Sequence, residues 1–331
     1  MSDDVLRVSI SKIRLARRCM KAFDYKYNQK LSRKRKAVPL LKGSILHDFL
    51  NARAKGASIG EVTSKYNEQY RRLFQEEREL YGTIVDDMLR VYEAYCRHYD
   101  EETWKYLASE HEVEYEIADG IVFVGYIDKV IIDKQDRRFS VDHKTSRSLP
   151  NEETQFSDLQ QLMYVYVYNK LNPKKLLDGV IWDYLRSKPP TIPEVLKNGS
   201  LSKRQIDTDY WTYVKAIRQA GLKTSDYTDI LESLRVQQSP FFKRVVLPSP
   251  PESMISSVLD DIIATAKMIR GLRYVYQVRN LSRDCAQCEF YNLCQAELRG
   301  HDAAFIRKND YITRQETDNG SEENEDSDST E

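Results

Sequence analysis

The sequence predicts an α/β protein, a mixed central sheet flanked by helices, and three observations predict it. Residues 111–145, HEVEYEIADGIVFVGYIDKVIIDKQDRRFSVDHKT, alternate apolar and polar side chains and are rich in Val, Ile, Phe and Tyr, as half-buried strands are. On both sides of this stretch apolar residues recur at helical spacing. The order helix, strands, helix, strand, with no internal repeat, fits one sheet with helices packed on it rather than a repeat array.

Taken in order, Ser11 is placed to cap a helix through KIRLARRCMKAFDYKYN, with Ile13, Ala16, Met20, Phe23 and Tyr27 near helical spacing. A second helix should follow Gly43, with Leu46, Phe49 and Leu50 facing inward, and residues 58–108 read as two longer helices broken near YGT at 81–83. Three antiparallel strands are expected at 111–118, 121–132 and 138–144, divided by the turns ADG and DKQDRR. A helix over 152–170 follows, then a strand over 179–187 that ends at PPTIP. Helices are expected at 207–220 and 225–236, a short strand at 241–247 and an amphipathic helix at 251–273. These make one domain over 1–314: a helical region (1–108), a sheet core (109–190) and a helical C-terminal part with clustered cysteines (191–300).

With 331 residues, 31% charged and 41% hydrophobic, the chain is long enough for a sizeable core and reads as soluble and globular. No apolar run approaches the roughly 18 residues of a membrane span, and MSDDVLRVSISKIRL has no signal-peptide hydrophobic region. The expected location is the cytoplasm, where thiols stay reduced and clustered cysteines favour metal over disulfides. The zero net charge hides an asymmetry. From Gln315 on, QETDNGSEENEDSDSTE holds eight acidic residues and no Lys or Arg, and lacks the apolar residues a core needs, so 315–331 is expected to be a disordered acidic tail. The remaining 1–314 carry 51 basic against 43 acidic residues, a net charge of +8. The densest basic run, KYNQKLSRKRKA at 26–37, contains Arg33, Lys34 and Arg35 and reads either as a solvated loop or as a patch that contacts phosphates.

The centre of the sequence carries the chemistry. In FSVDHKTS, Asp142 and Lys144 are two apart on a strand and leave the same face, while Val141 and His143 leave the other. Alone, such a pair is usually a weak surface ion pair. Fourteen residues earlier, VGYIDKVII places Asp128 inside an otherwise apolar strand, where a charge is costly unless it is paired or binds a cation. A hairpin of 121–132 with 138–144 brings Asp128 and Asp142 together, and a divalent cation relieves the repulsion of two carboxylates. Hard oxygen donors suit Mg²⁺ or Mn²⁺. Upstream, LLKGSILHDFL places His47 four residues after Gly43 on a helix, where a lone His is usually structural. Downstream, DLQQLMYVYVY places Gln160 and Tyr164 at i and i+4 on one helix face. Glu114 is a weaker candidate, since Glu112, Glu114 and Glu116 alternate onto what reads as a solvated face.

In order, these pieces read Gly-x-x-x-His, Gly-x-x-Asp, Asp-x-Lys-Thr, Gln-x-x-x-Tyr, which resembles the RecB-like branch of the PD-(D/E)XK nuclease superfamily. That branch includes helicase-associated nucleases, CRISPR adaptation exonucleases and many phage exonucleases. The signature reads here as Asp128 followed by Asp142-His143-Lys144, with Asp where other branches often have Glu and His143 where Tyr is common. The resemblance implies a restriction-endonuclease-like core with helical insertions, and metal-dependent hydrolysis of DNA, most often as an exonuclease. It implies that His47, Asp128, Asp142 and the backbone carbonyl of His143 hold the metal. It also implies that Lys144 orients or deprotonates the attacking water, and that Gln160 and Tyr164 contact the DNA backbone or support the metal shell.

The remaining motif is SRDCAQCEFYNLCQAELRG at 282–300. Cys285-x-x-Cys288 is a usual zinc half-site, but a zinc ribbon wants a second close pair and none exists. Cys96, among tyrosines on a helix, reads as a small buried apolar residue. An N-terminal Cys19 with a C-x2-C-x5-C trio near the end resembles the iron–sulfur clamp of the same nuclease branch. That implies a [4Fe–4S] cluster on Cys19, Cys285, Cys288 and Cys294, thiolates being its normal ligands. It also implies an Fe–S clasp that joins the first helix to the C-terminal segment, with Arg17, Arg18 and Lys21 beside it near passing DNA. The resemblance is strongest to phage-encoded members, which places the protein in a bacterial or phage-infected cell. With no phosphate-binding Gly-x-x-x-x-Gly-Lys-Ser/Thr motif, unwinding would need a helicase, and a recombination or replication partner is also implied. The alternatives are a non-catalytic DNA-binding or scaffold protein that keeps the nuclease fold, and a zinc-stabilised protein.

Overall fold

The computed structural model describes residues 5–150, 158–237, 239–272 and 277–314. The alternating stretch folds into the expected antiparallel meander: β3 (Lys105–Ala118), β4 (Ile121–Ile132) and β5 (Arg138–Ser146). β3 begins at Lys105 rather than at 111, because Trp104 and Tyr106 pack against Ile131, Phe139, Val141 and Ile181 and extend the sheet. Asp133 shapes the β4–β5 turn by accepting from the backbone N–H groups of Gln135 and Arg137, both at 2.9 Å.

The two edges of β4 are used differently. One pairs with β3 along nearly its whole length. The other is divided: β1 (Leu6–Val8) runs parallel to Ile121–Phe123, and β5 pairs with Lys129–Ile132. Asp128 lies just where β5 leaves that edge. β6 (Gly179–Arg186) then pairs parallel to β5, and β7 (Phe242–Pro248) pairs antiparallel to β6. A Cβ on Gly179 would sit 2.2 Å from the carbonyl oxygen of Leu247 on β7. Gly179→Ala should therefore pry the two strands apart and cost about 1–3 kcal/mol, read as a lower urea midpoint; an unchanged midpoint would contradict this register.

The helices follow their apolar periodicity, with four corrections. Ser9, not Ser11, is the first cap, its hydroxyl accepting from Lys12 N at 3.3 Å. The expected single helix breaks at Cys19, whose φ of −167° and ψ of 113° are extended, into α1 (Ile10–Arg18) and α2 (Met20–Phe23), with a wider turn over Asp24–Asn28. The next helix, α3 (Val38–Lys55), starts before Gly43, with a proline in its first turn where no N–H is missed. Residues 58–108 hold three helices instead of two, followed by the start of β3: α4 (Ile59–Arg71), α5 (Gln75–Tyr81) and α6 (Ile84–His98). The extra break occurs because Glu77 accepts from Phe74 N and starts α5 afresh.

α7 (Leu159–Leu171) is capped by Asp158, which accepts from Gln160 N and Gln161 N; the expected start at 152 lies outside the described residues. α8 (Tyr210–Gln219) and α9 (Thr228–Val236) pack on one another, and α10 (Glu252–Leu272) matches expectation. α11 (Tyr291–Arg299) and α12 (Ala303–Asp310) lead into β8 (Tyr311–Thr313), which pairs with β2 (Leu31–Arg33). This ribbon ties the two ends of the described chain together, and its three-residue strands are too short to show a period in the sequence.

Each face of the sheet has its own core. α1, α2, α7, α10 and α11 cover the face of Phe123, Val130, Val180 and Trp182. α3, α4 and α6 pack on Leu185, Phe241 and Phe242.

Candidate active site

The site lies where β5 diverges from β4. Asp128, buried at 7% exposure, turns its carboxylate into the gap and accepts from His143 N at 2.9 Å. His47, on α3, reaches the same spot: its Nε2 is 2.8 Å from the carbonyl oxygen of His143 and its Nδ1 is 3.6 Å from Asp128 Oδ2. A proton on Nε2 satisfies the carbonyl and leaves Nδ1 facing Asp128. The His143 carbonyl keeps a second lone pair. Burial would raise the Asp128 carboxyl, but His47 and His143 outweigh it and hold the group below its ordinary range.

Asp142 lies on the same face, 3% exposed, with Lys144 Nζ 3.1 Å from its Oδ2. Gln160, from the first turn of α7, joins the two: its Nε2 donates to Asp142 Oδ1 at 2.9 Å and its Oε1 accepts from Lys144 at 3.3 Å. The Tyr164 hydroxyl is 3.5 Å from the same Nε2, and its ring fits because Gly125 has no side chain: a Cβ there would lie 2.7 Å from it. Burial pushes the Asp142 carboxyl up to about 7, against the pull of Lys144. Burial works against the Lys144 ammonium too, but Asp142 and the neighbouring carboxylates win and keep it charged.

Two features were not legible in the sequence. The first is Glu110. The register sets it across from Asp128, between the pairs Ser109–Lys129 and His111–Ile127, and its φ of 52° is in the left-handed region. Ligand atoms of His47, Glu110 and Asp128 all lie within 4.8 Å of one another. Burial raises the Glu110 carboxyl, and the charge on Asp128 adds to the shift. Glu114, the weaker candidate, lies elsewhere, half exposed and forked onto Arg7 at 2.6 and 2.7 Å. The second is a buried network behind the site. His143 Nδ1 is 3.0 Å from Asp183 Oδ2, and Lys129 Nζ is 2.6 Å from His143 Nε2. Burial, then Lys129, push the His143 imidazole down to about 4, so it is neutral, donating from Nδ1 and accepting at Nε2. Burial also lowers the Lys129 ammonium to about 8.

Cys19, Cys285, Cys288 and Cys294 line one pocket together with Arg18 and Lys21. All are free thiols. The helix break at Cys19 lets its sulfur accept from Asn280 N at 3.4 Å, while the Cys285 thiol is 3.4 Å from Asn280 O. Four thiols facing one pocket, one of them already taking a backbone N–H, match the donor set of an iron–sulfur cluster. Cys96 is remote from them: it packs against the α3–α6 core and accepts from Arg53 at 2.9 Å. Arg17 leans on α10, its Nε donating to Thr265 at 2.9 Å. Arg33, Lys34 and Arg35 are exposed, and bond respectively to the carbonyl of Glu289, the carbonyl of Lys308 and the carboxylate of Glu77. No helix among the described residues is long and apolar enough to cross a membrane.

A mixed sheet with helices on both faces, and two acids and a lysine meeting where two strands part, define a class of divalent-metal hydrolytic enzymes. The chain belongs to the PD-(D/E)XK nuclease superfamily, whose family model matches residues 7–295. Among solved structures, a candidate exonuclease from Eubacterium rectale is similar at 12% identity and a TM-score of 0.46, covering 87% of this chain and 88% of that one. The structure named SSO0001 is similar at 12% identity and a TM-score of 0.37, covering 88% and 86%. No curated protein matches the chain.

Proposed function

We propose that this protein is a divalent-metal-dependent DNA exonuclease, held together by a [4Fe–4S] cluster on Cys19, Cys285, Cys288 and Cys294. The observation that carries the nuclease reading is the convergence of Asp128, Asp142 and Lys144 on one face of the β4–β5 hairpin, with Gln160 joining the last two. The exonuclease mode rests on the resemblance to the RecB-like branch.

A divalent cation, Mg²⁺ or Mn²⁺, would be held by His47, Asp128, Asp142 and the His143 carbonyl, and supplies a polarised phosphoryl oxygen and an acidified water. The protein's own groups do the rest. Asp128 holds β5 at His143 through His143 N, and the carbonyl of the same residue faces His47. Lys144, kept charged by Asp142, offsets the negative charge that develops on the phosphoryl oxygens and orients the water, rather than removing its proton. Gln160 holds Lys144 and Asp142 in register, and Tyr164 braces Gln160. Arg18, Arg33, Lys34 and Arg35 would extend positive surface along the DNA backbone, whereas Lys21 is turned inward and paired with Asp24 and Glu297.

The test is cleavage of end-labelled single- and double-stranded DNA with Mg²⁺ or Mn²⁺, with Asp142→Ala as control. Stepwise loss of end nucleotides by the wild type and none by the variant is expected; no cleavage of any DNA form would sink the reading. For the cluster, Cys19 and Cys285 are 266 residues apart, so closing that loop should stabilise the fold strongly. Cys19→Ser and Cys288→Ser should each lose iron and lower the melting temperature to a similar degree, whereas Cys96→Ser should keep full iron. A colourless anaerobic preparation with stoichiometric zinc, or full iron in Cys19→Ser, would overturn the assignment.

A further inference from the structure

We infer that Glu110 is a further ligand of the divalent cation in this site, adding a third carboxylate on β3 to those of Asp128 on β4 and Asp142 on β5. The inference deepens the nuclease reading and rests on it.

Three observations carry it. An imidazole nitrogen of His47 and carboxylate oxygens of Glu110 and Asp128 meet within 4.8 Å, close enough for one ion to touch all three. Asp142 is not part of that trio. Its two oxygens are engaged by Gln160 and Lys144, so the chain offers the cation a His–Glu–Asp face as well as the Asp142 side. Two carboxylates placed directly across an antiparallel pair repel one another, and such a pair is destabilising unless something positive sits between them. Finally, Glu110 has a left-handed φ of 52° within a strand, a conformation that costs a residue with a side chain about 1–3 kcal/mol and tends to persist where a site requires it. Glu110 is partly buried rather than splayed into solvent like Glu112, Glu114 and Glu116 on the same strand. Oxygen donors on three strands plus one imidazole make a donor set suited to Mn²⁺.

The test is Mn²⁺ titration into the chelator-treated full chain, read both as Kd and as the rise in melting temperature that Mn²⁺ produces. The variants are Glu110→Gln, Asp128→Asn and, as a charge control on the exposed part of β3, Glu112→Gln. Glu110→Gln should weaken Mn²⁺ binding by about 10- to 100-fold and shrink the Mn²⁺-dependent rise. Loss of a purely structural Glu110 would lower the metal-free melting temperature and leave the Mn²⁺ increment intact. Glu112→Gln should change Kd by no more than about twofold, as a screened surface charge does. Wild-type Mn²⁺ affinity in Glu110→Gln, with binding lost in Asp128→Asn, would overturn the role of Glu110 and leave the nuclease site standing. Wild-type affinity in both variants would overturn the cation site itself, and Glu110 with it.

Discussion

Asp128→Asn should lower the rate of DNA cleavage by about three orders of magnitude or more. Losing several kcal/mol of metal-centred stabilisation of the transition state corresponds to about tenfold per 1.4 kcal/mol. The amide still has an oxygen to accept from His143 N, so the strand gap and the fold should survive. Asp142→Asn should behave alike, because its oxygen can still accept from Gln160. The measurement is single-turnover cleavage at saturating Mn²⁺, with circular dichroism and DNA binding as controls. Activity within about tenfold of wild type, a difference of only 1.4 kcal/mol in barrier, would remove Asp128 from the chemistry.

The second large effect concerns stability. Arg244, on β7, lies against the rings of Tyr99 and Trp104, 3.5 and 3.9 Å from their centroids. It reaches Asp183 at 3.1 Å and Glu102 at 2.6 Å, and donates to the Tyr95 hydroxyl, which also contacts Asp183. Asp183 is fully buried, at 0% exposure. Burial alone would raise its carboxyl; Arg244, then the hydrogen bond from His143, hold it far below the usual carboxylate range. Arg244→Met leaves that charge without its main partner and should cost about 3–5 kcal/mol, read by urea denaturation. A loss under about 1 kcal/mol, the size of a surface pair, would mean the network is not an essential buried ion pair. The pH dependence has a definite sign. A carboxyl whose folded pKa is depressed stabilises above its unfolded pKa of about 4 and loses that contribution as the pH falls below it. The wild-type advantage over Arg244→Met should therefore be full at neutral pH and shrink in acid. Because Asp183 fixes the His143 ring, the variant should also loosen the part of β5 that presents the His143 carbonyl.

How far the sequence reaches can be judged from single residues. The meander was readable because period-two alternation over 111–145 is a local property. Asp142, Lys144, Gln160 and Tyr164 were readable as same-face pairs because strand and helix geometry fix which neighbours share a face. The helix break at Cys19 was not, since nothing in LARRCMKAF forbids a continuous helix; the extended turn brings its sulfur beside Asn280. The ribbon of β2 and β8 joins residues nearly three hundred positions apart through three-residue strands, too short to carry a period.

His143 shows the same division inside the site. Its position in Asp-x-Lys marked the backbone carbonyl but said nothing of the ring. The ring is clamped between Lys129, one residue past Asp128, and Asp183 on β6, and that clamp exists only once three strands are in register. Glu110 and Asp128 likewise face each other only through the β3–β4 register. By itself the sequence determined the α/β class, the carboxylate–lysine hairpin and the trio Cys285, Cys288 and Cys294, because each is written in short spacings or residue type, whereas Cys19, 266 residues from Cys285, was joined to the trio only by the family resemblance. The tertiary structure alone decided that Glu110 joins the site, that Glu114 does not, and that Asp183 and Arg244 hold the back of it. Those choices depend on which strand lies beside which, and pairing between distant segments leaves no mark in local periodicity.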